Sequence, residues 1–170
     1  MADTAQTQTA QKQTTDPSAD PRANYDYQSE GVGDPELVSD LRALVDGDVR
    51  FDQYTRNLYA TDASAYQQLP IGVVVPESTS DVQAVMSYCA DHGIPVLPRG
   101  GGTSLAGQAV NKAVVLDFKK KMNAIVDIDP EARTVRAQPG ITLAHLNSIL
   151  KPHELKYAPD PAWGDKSVLG

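Results

Sequence analysis

One cysteine, three histidines and fifteen basic residues are all that 170 residues offer to the chemistries depending on them. Cys89 stands alone, so an internal disulfide is excluded, as is any metal site needing a second thiolate. His92, His145 and His153 form no ligand pattern; the last two are eight residues apart, too far to share one helical turn. No metal site is expected. Against the basic residues stand 22 acidic ones, for a formal charge of −7. Nucleic acid is a poor partner, because its binding rests on Lys and Arg contacts to phosphate. No apolar run approaches the roughly 20 residues of a membrane-crossing helix. Met1–Ala10 has neither the basic start nor the apolar stretch of a secretory signal, so a cytoplasmic location is expected. An acidic chain can still hold an anionic cofactor where main-chain N–H groups converge.

Met1–Glu30 is rich in Thr, Gln, Ala, Asp and Pro and nearly devoid of large aliphatic residues. Such a stretch buries too little apolar surface to offset the entropy of ordering it, and residues 1–34 are expected to be a disordered tail. Residues 35–170 are expected to form one α+β domain on a mixed sheet. Leu37, Leu41, Leu44 and Val45 trace a helical stripe behind Pro35. Ile71–Val75 reads as a buried strand, followed by a Ser80-x-x-Gln83 capping box and a helix with Val82, Val85, Met86 and Cys89 facing inward. Gly93 stops that helix and Ile94–Leu97 returns as a strand, predicted parallel to the first through a right-handed crossover. Ala113–Phe118 is a further strand. Ala124–Asp127 and Thr134–Gln138 follow as a hairpin turned at Asp129-Pro130-Glu131-Ala132. Thr142 caps a helix ending before Pro152, and a last strand is predicted after it.

The chemistry gathers at Pro98-Arg99-Gly100-Gly101-Gly102-Thr103-Ser104-Leu105-Ala106-Gly107-Gln108. Consecutive glycines cost conformational entropy and contribute no packing, so they mark positive φ angles or a close approach to the backbone. A loop of small residues after a strand can turn successive N–H groups into an anion-binding concavity. Thr103 and Ser104 add hydroxyls and Arg99 a fixed charge, which suits a diphosphate. A nucleoside-triphosphate loop fails here, since Gln108 and Ala109 stand where Lys and Ser/Thr belong after Gly107. The dinucleotide fingerprint fails too: Gly100 and Gly102 fit, but Leu105 occupies the third glycine position. Gly102-Thr103-Ser104-Leu105-Ala106 falls one residue short of a serine-hydrolase elbow, and Ser104 as nucleophile is the alternative from another class.

With Tyr59-Ala60-Thr61-Asp62-Ala63-Ser64, Val74-Val75-Pro76, Gln138-Pro139-Gly140 and Pro159-Asp160-Pro161 in order around this loop, the chain resembles a known family. These are the FAD-linked oxidases of the vanillyl-alcohol oxidase and para-cresol methylhydroxylase type, and the similarity is to their glycolate oxidase and D-lactate dehydrogenase branch. It runs from about Asp52 to Gly170. The resemblance implies an FAD-binding domain of the para-cresol methylhydroxylase type. Pro98, Arg99, Gly100, Gly101, Gly102, Thr103 and Ser104 would wrap the FAD diphosphate and Gly107 and Gln108 complete the pocket. Gly140, Pro159 and Asp160 would approach from neighbouring loops. Some relatives carry a flavin-linked histidine where Thr103 stands, so FAD is expected to be non-covalent.

Relatives continue past Val168-Leu169-Gly170 into a region holding the hydroxy acid and the proton-removing residue. The chain is therefore expected to be an amino-terminal fragment, binding FAD weakly or not at all and inactive by itself, and no catalytic base or electron acceptor is assigned from it. The implied parent reaction is oxidation of a small D-2-hydroxy acid, D-lactate or glycolate in type, by hydride transfer to flavin. A non-catalytic flavin-binding module remains an alternative.

Overall fold

A computed structural model describes residues 34–170, so the expected tail lies, Asp34 apart, outside the described residues. Asp34 opens helix α1 (Pro35–Leu44) by accepting the N–H of Glu36 on its side chain. Leu37 and Leu41 bury as expected, but Leu44 is 47% exposed. The helix ends at Leu44 and Val45 turns extended, so Val45 swings into the core instead.

The strands β1 (Asp48–Arg50), β2 (Gly72–Val75), β3 (Val96–Arg99) and β4 (Val114–Asp117) form a sheet in the order β1-β2-β4-β3. β1 runs antiparallel to β2, while β2, β4 and β3 are parallel. The predicted β2–helix–β3 unit is therefore parallel, with β4 inserted between its strands. Gly72–Val75 and Val114–Asp117 are buried throughout, as central strands of a sheet covered on both faces must be. On one face α1 and α3 (Thr79–Asp91) pack Leu41, Val85 and Cys89 against Val74, Val114 and Leu116. On the other, Tyr59 covers Val73, Val75 and Val115 at the end of α2 (Gln53–Leu58). A second layer sets the antiparallel hairpin of β5 (Ile125–Asp129) and β6 (Thr134–Ala137) against α4 (Leu143–Leu150), around Ile141, Leu146 and Leu150. The fold is the expected mixed α+β type.

Several local expectations need correction. The cap of α3 is Ser78, not Ser80: its hydroxyl takes the N–H of Asp81. Starting there places the Asp81 carboxylate where it also accepts the N–H groups of Asp46, Gly47 and Glu77. Met86, expected inside, is 48% exposed. β3 starts later than Ile94 and runs on through Pro98 and Arg99. Pro152 does not halt the chain outright, because Lys151–His153 continue α4 as a 3-10 turn. The last predicted strand is absent; after α4 only an isolated bridge, Thr142 to Val168, joins the sheet-like pairing.

Candidate functional site

Strand β3 delivers the glycine loop at the carboxyl edge of the parallel strands, the edge where ligands of open α/β sheets gather. Its last residue, Arg99, lies in register with Asp117 of β4, and Phe118 N–H donates to Arg99 O at 3.1 Å. Beyond that bond the ladder stops. The N–H groups of Gly100, Gly101, Gly102, Thr103, Ser104 and Leu105 donate to no acceptor among the described residues. Half-buried or exposed as they are, these groups are open to a ligand or to water. The loop recovers local order past Leu105, where Ser104 Oγ accepts from Ala106 N (3.2 Å) and Gln108 N (3.1 Å) and donates to Gln108 Oε1.

The glycines divide by task. Gly102 (φ +65°) and Gly107 (φ +79°) hold the left-handed backbone that a side chain resists. Gly100 and Gly101 instead admit the chain's own segment 166–170. A β-carbon on Gly100 would lie 2.1 Å from Val168 Cγ2, and one on Gly101 2.1 Å from Lys166 O. The close approach foreseen for these two positions is thus made by the protein itself. That strap is anchored through Leu169 N to Ile141 O (3.0 Å) and Gly170 N to Pro139 O (2.9 Å). Loop and strap border an open cleft of about 220 Å³.

Of the residues singled out in the sequence, Pro98–Ser104 and Gln108 line this cleft, and Gly107 shapes the loop from outside it. Gly140 is not among the lining residues. It is buried where a β-carbon would sit 2.0 Å from Phe118 O, so its task there is packing. Pro159 and Asp160 are exposed away from the cleft, with Asp160 bridged to Lys156 at 3.2 Å. Ser167, Val168 and Gly170 form the unforeseen second wall. Thr103 Oγ1 meets Ser167 Oγ across the gap at 3.4 Å.

Arg99 commits its guanidinium to main-chain carbonyls. Its Nη1 donates to Tyr59 O (3.1 Å) and Ala109 O (2.7 Å), and its Nη2 to Thr61 O (2.8 Å). Burial pulls the guanidinium pKa down, opposed by Tyr59, Asp62 and Asp117, yet arginine stays protonated. Asp62 serves the loop's hydrogen bonds, accepting Ser64 N (2.9 Å) and Ala109 N (3.2 Å). Burial raises its carboxyl, but the donors on Ser64 and Ala109 and the charge of Arg99 outweigh burial and hold it below the usual carboxylate range. Tyr59 donates its hydroxyl to the buried Asp117. Burial, and then that carboxylate, push the phenol far above its ordinary value.

With this geometry in place, a family model described as an FAD binding domain matches residues 70–170. The chain belongs to this FAD-binding family. Its cofactor is FAD. Among relatives, the D-2-hydroxyglutarate dehydrogenase of Pseudomonas putida is 36% identical over 154 residues, covering 88% of this chain and 14% of that protein. The glycolate oxidase subunit GlcD of Bacillus subtilis is 34% identical over 138 residues, covering 78% of this chain and 29% of that subunit. Among solved structures, p-cresol methylhydroxylase with substrate bound superposes with a TM-score of 0.61 at 27% identity, over 71% of this chain and 25% of that one. The FAD-binding fold is therefore of the p-cresol methylhydroxylase type, and the chain spans under a third of the curated relatives it matches.

Proposed function

We propose that Gly100–Ser104 hold the diphosphate of FAD through main-chain N–H groups, within a unit spanning residues 35–170. The observation that carries this is the run of N–H groups without protein acceptors, opening from a parallel strand into an open cleft. Thr103 and Ser104 line the same cleft, and Gln108 lies against Ser104 at its edge. The FAD is non-covalent, because Thr103 offers a hydroxyl where attachment requires a stronger nucleophile. Gly140, Pro159 and Asp160 are assigned to the cofactor's surroundings outside that cleft.

The protein of which these residues are part oxidises a small D-2-hydroxy acid, a reading supported by the names of relatives such as D-2-hydroxyglutarate dehydrogenase and glycolate oxidase. Bound FAD supplies the acceptor for the hydride leaving the carbinol carbon. This chain's contribution is to seat and orient it. The hydrolase alternative lacks a base: Ser104 Oγ donates to the carboxamide of Gln108, while His92, His145 and His153 belong to the end of α3, to α4 and to the 3-10 turn. A carboxamide cannot accept the proton as imidazole does.

Titrating the isotope-labelled chain with FAD, inorganic pyrophosphate and riboflavin tests this by amide NMR. The Gly100–Leu105 amides should shift with FAD and pyrophosphate and stay in place with riboflavin, which has no diphosphate. Shifts with riboflavin alone, or none at millimolar FAD, would refute it. In the FAD-loaded protein, acid precipitation should leave the yellow pigment in the supernatant. Bleaching of the flavin bands by D-2-hydroxyglutarate, D-lactate or glycolate would identify the substrate, and no bleaching by any would favour a non-catalytic module.

A further inference from the structure

Resting on the loop's reading as a diphosphate cradle, we infer that Arg99 is a positioning residue that shapes the cradle by gripping carbonyls, and that residues 59–66, which precede the family-matched region, are its other half. The guanidinium ties together points far apart in the chain. It binds Ala109 O at the far end of its own loop, and Tyr59 O and Thr61 O on the segment after α2. The left-handed Gly102 folds back over it; a β-carbon there would lie 2.7 Å from Nη2. The segment returns the grip. Ala63 N donates to Gly102 O at 3.0 Å, Asp62 Oδ2 accepts Ala109 N at 3.2 Å, and the Tyr66 ring rests on Gly107, 2.7 Å from where a β-carbon would stand.

The loop, whose N–H groups from Gly100 to Leu105 donate to no acceptor among the described residues, is therefore held from outside. A planar fork can satisfy carbonyls at separate positions simultaneously, which a lysine ammonium on a flexible stem does poorly. With those donors committed to carbonyls, the charge of Arg99 acts on a bound anion from beneath the loop, through its shape. The family match begins at residue 70, so Tyr59, Thr61, Asp62 and Tyr66 all lie before it.

The test compares the full chain with Arg99→Lys and Arg99→Gln, reading unliganded amide exchange at Ala63 and Ala109 and the pyrophosphate titration at Gly100–Leu105. Both variants should exchange at Ala63 and Ala109 about tenfold faster, the size expected on losing hydrogen bonds to a charged group, while Val115 in β4 stays protected. Pyrophosphate should bind at least about tenfold more weakly to both. Asp62→Ala should reproduce the fast exchange at Ala63, and adding it to Arg99→Gln should give less than the sum of the separate effects, as for residues in one network.

Wild-type exchange at Ala63 and Ala109 in both variants overturns the inference, as does full pyrophosphate affinity in Arg99→Lys, which would make charge alone the requirement. Loss of protection at Val115 as well in both variants would make Arg99 a residue of global stability and also overturn it. A wild-type chain that takes neither FAD nor pyrophosphate would remove the cofactor reading, while the exchange arm would still decide how Arg99 holds the loop.

Discussion

Two loops of this molecule solve the same problem in opposite ways. The turn between β5 and β6 settles its own backbone: Asp129 Oδ1 accepts Ala132 N at 2.9 Å, and Arg133 takes the left-handed conformation (φ 54°) without glycine. The loop after β3 leaves its N–H groups uncommitted and takes its shape from Arg99, from residues 59–66 and from the strap at 166–170. A connection that only reverses the chain can be self-contained. One that presents its backbone to a ligand must be held by something else, and that dependence distinguishes a site from a turn.

The sharpest way to break the comparison is Gly101→Val. Its side chain collides with Lys166 O, and we expect a loss of about 3 kcal/mol in urea denaturation, the upper end for overpacking. Ala132→Val, on the exposed turn, should stay within about 0.5 kcal/mol. Equal costs would show that the strap does not support the loop. Next in size, Gly102→Ala places a β-carbon at φ +65° and should cost about 1–2 kcal/mol, whereas Arg133→Gly should be neutral or stabilise by less than about 1 kcal/mol.

The smallest contrast is between carboxylates. Asp62→Asn should cost about 1 kcal/mol at neutral pH and Asp129→Asn about half as much, since Asp62 serves several donors and Asp129 one. The Asp62 carboxyl has a depressed folded pKa, so its stabilisation is complete above the ordinary value of about 3.9 and disappears as pH falls through the lower folded value. Urea midpoints of wild type and Asp62→Asn should therefore converge between pH 5 and about pH 2, and a constant gap would refute that origin.

How legible the molecule was depended on whether a feature uses apolar side chains. Val73–Val75 and Val114–Leu116 announce buried strands, and Thr142 announces α4 by its capping hydroxyl. β1 and α2 were not foreseen: β1 has Val49 alone to bury, and the buried residue of α2 is Arg56, whose Nε donates to Pro70 O at 2.7 Å. Hydropathy counts such a residue as surface. Asp52, which accepts Thr55 N at 2.9 Å, was the available signal for α2, a capping pair that needs no apolar stripe. At the site, the glycine loop was legible from composition. Its supports were not, because they are main-chain carbonyls of Tyr59, Thr61 and Ala109, and a carbonyl has no letter of its own.

The position of Pro98 has a consequence for how the molecule meets others of its kind. β3 is an outer strand of the sheet, and Pro95 and Arg99 turn their carbonyls toward β4, taking Val114 N at 2.9 Å and Phe118 N at 3.1 Å. By the alternation of a strand, Pro98 faces the opposite, unpaired rim, and as proline it has no hydrogen to offer there. A stray strand trying to template on this rim meets a missing rung immediately before the loop, so the same residue that leads into the loop also discourages edge-to-edge pairing of one sheet with another.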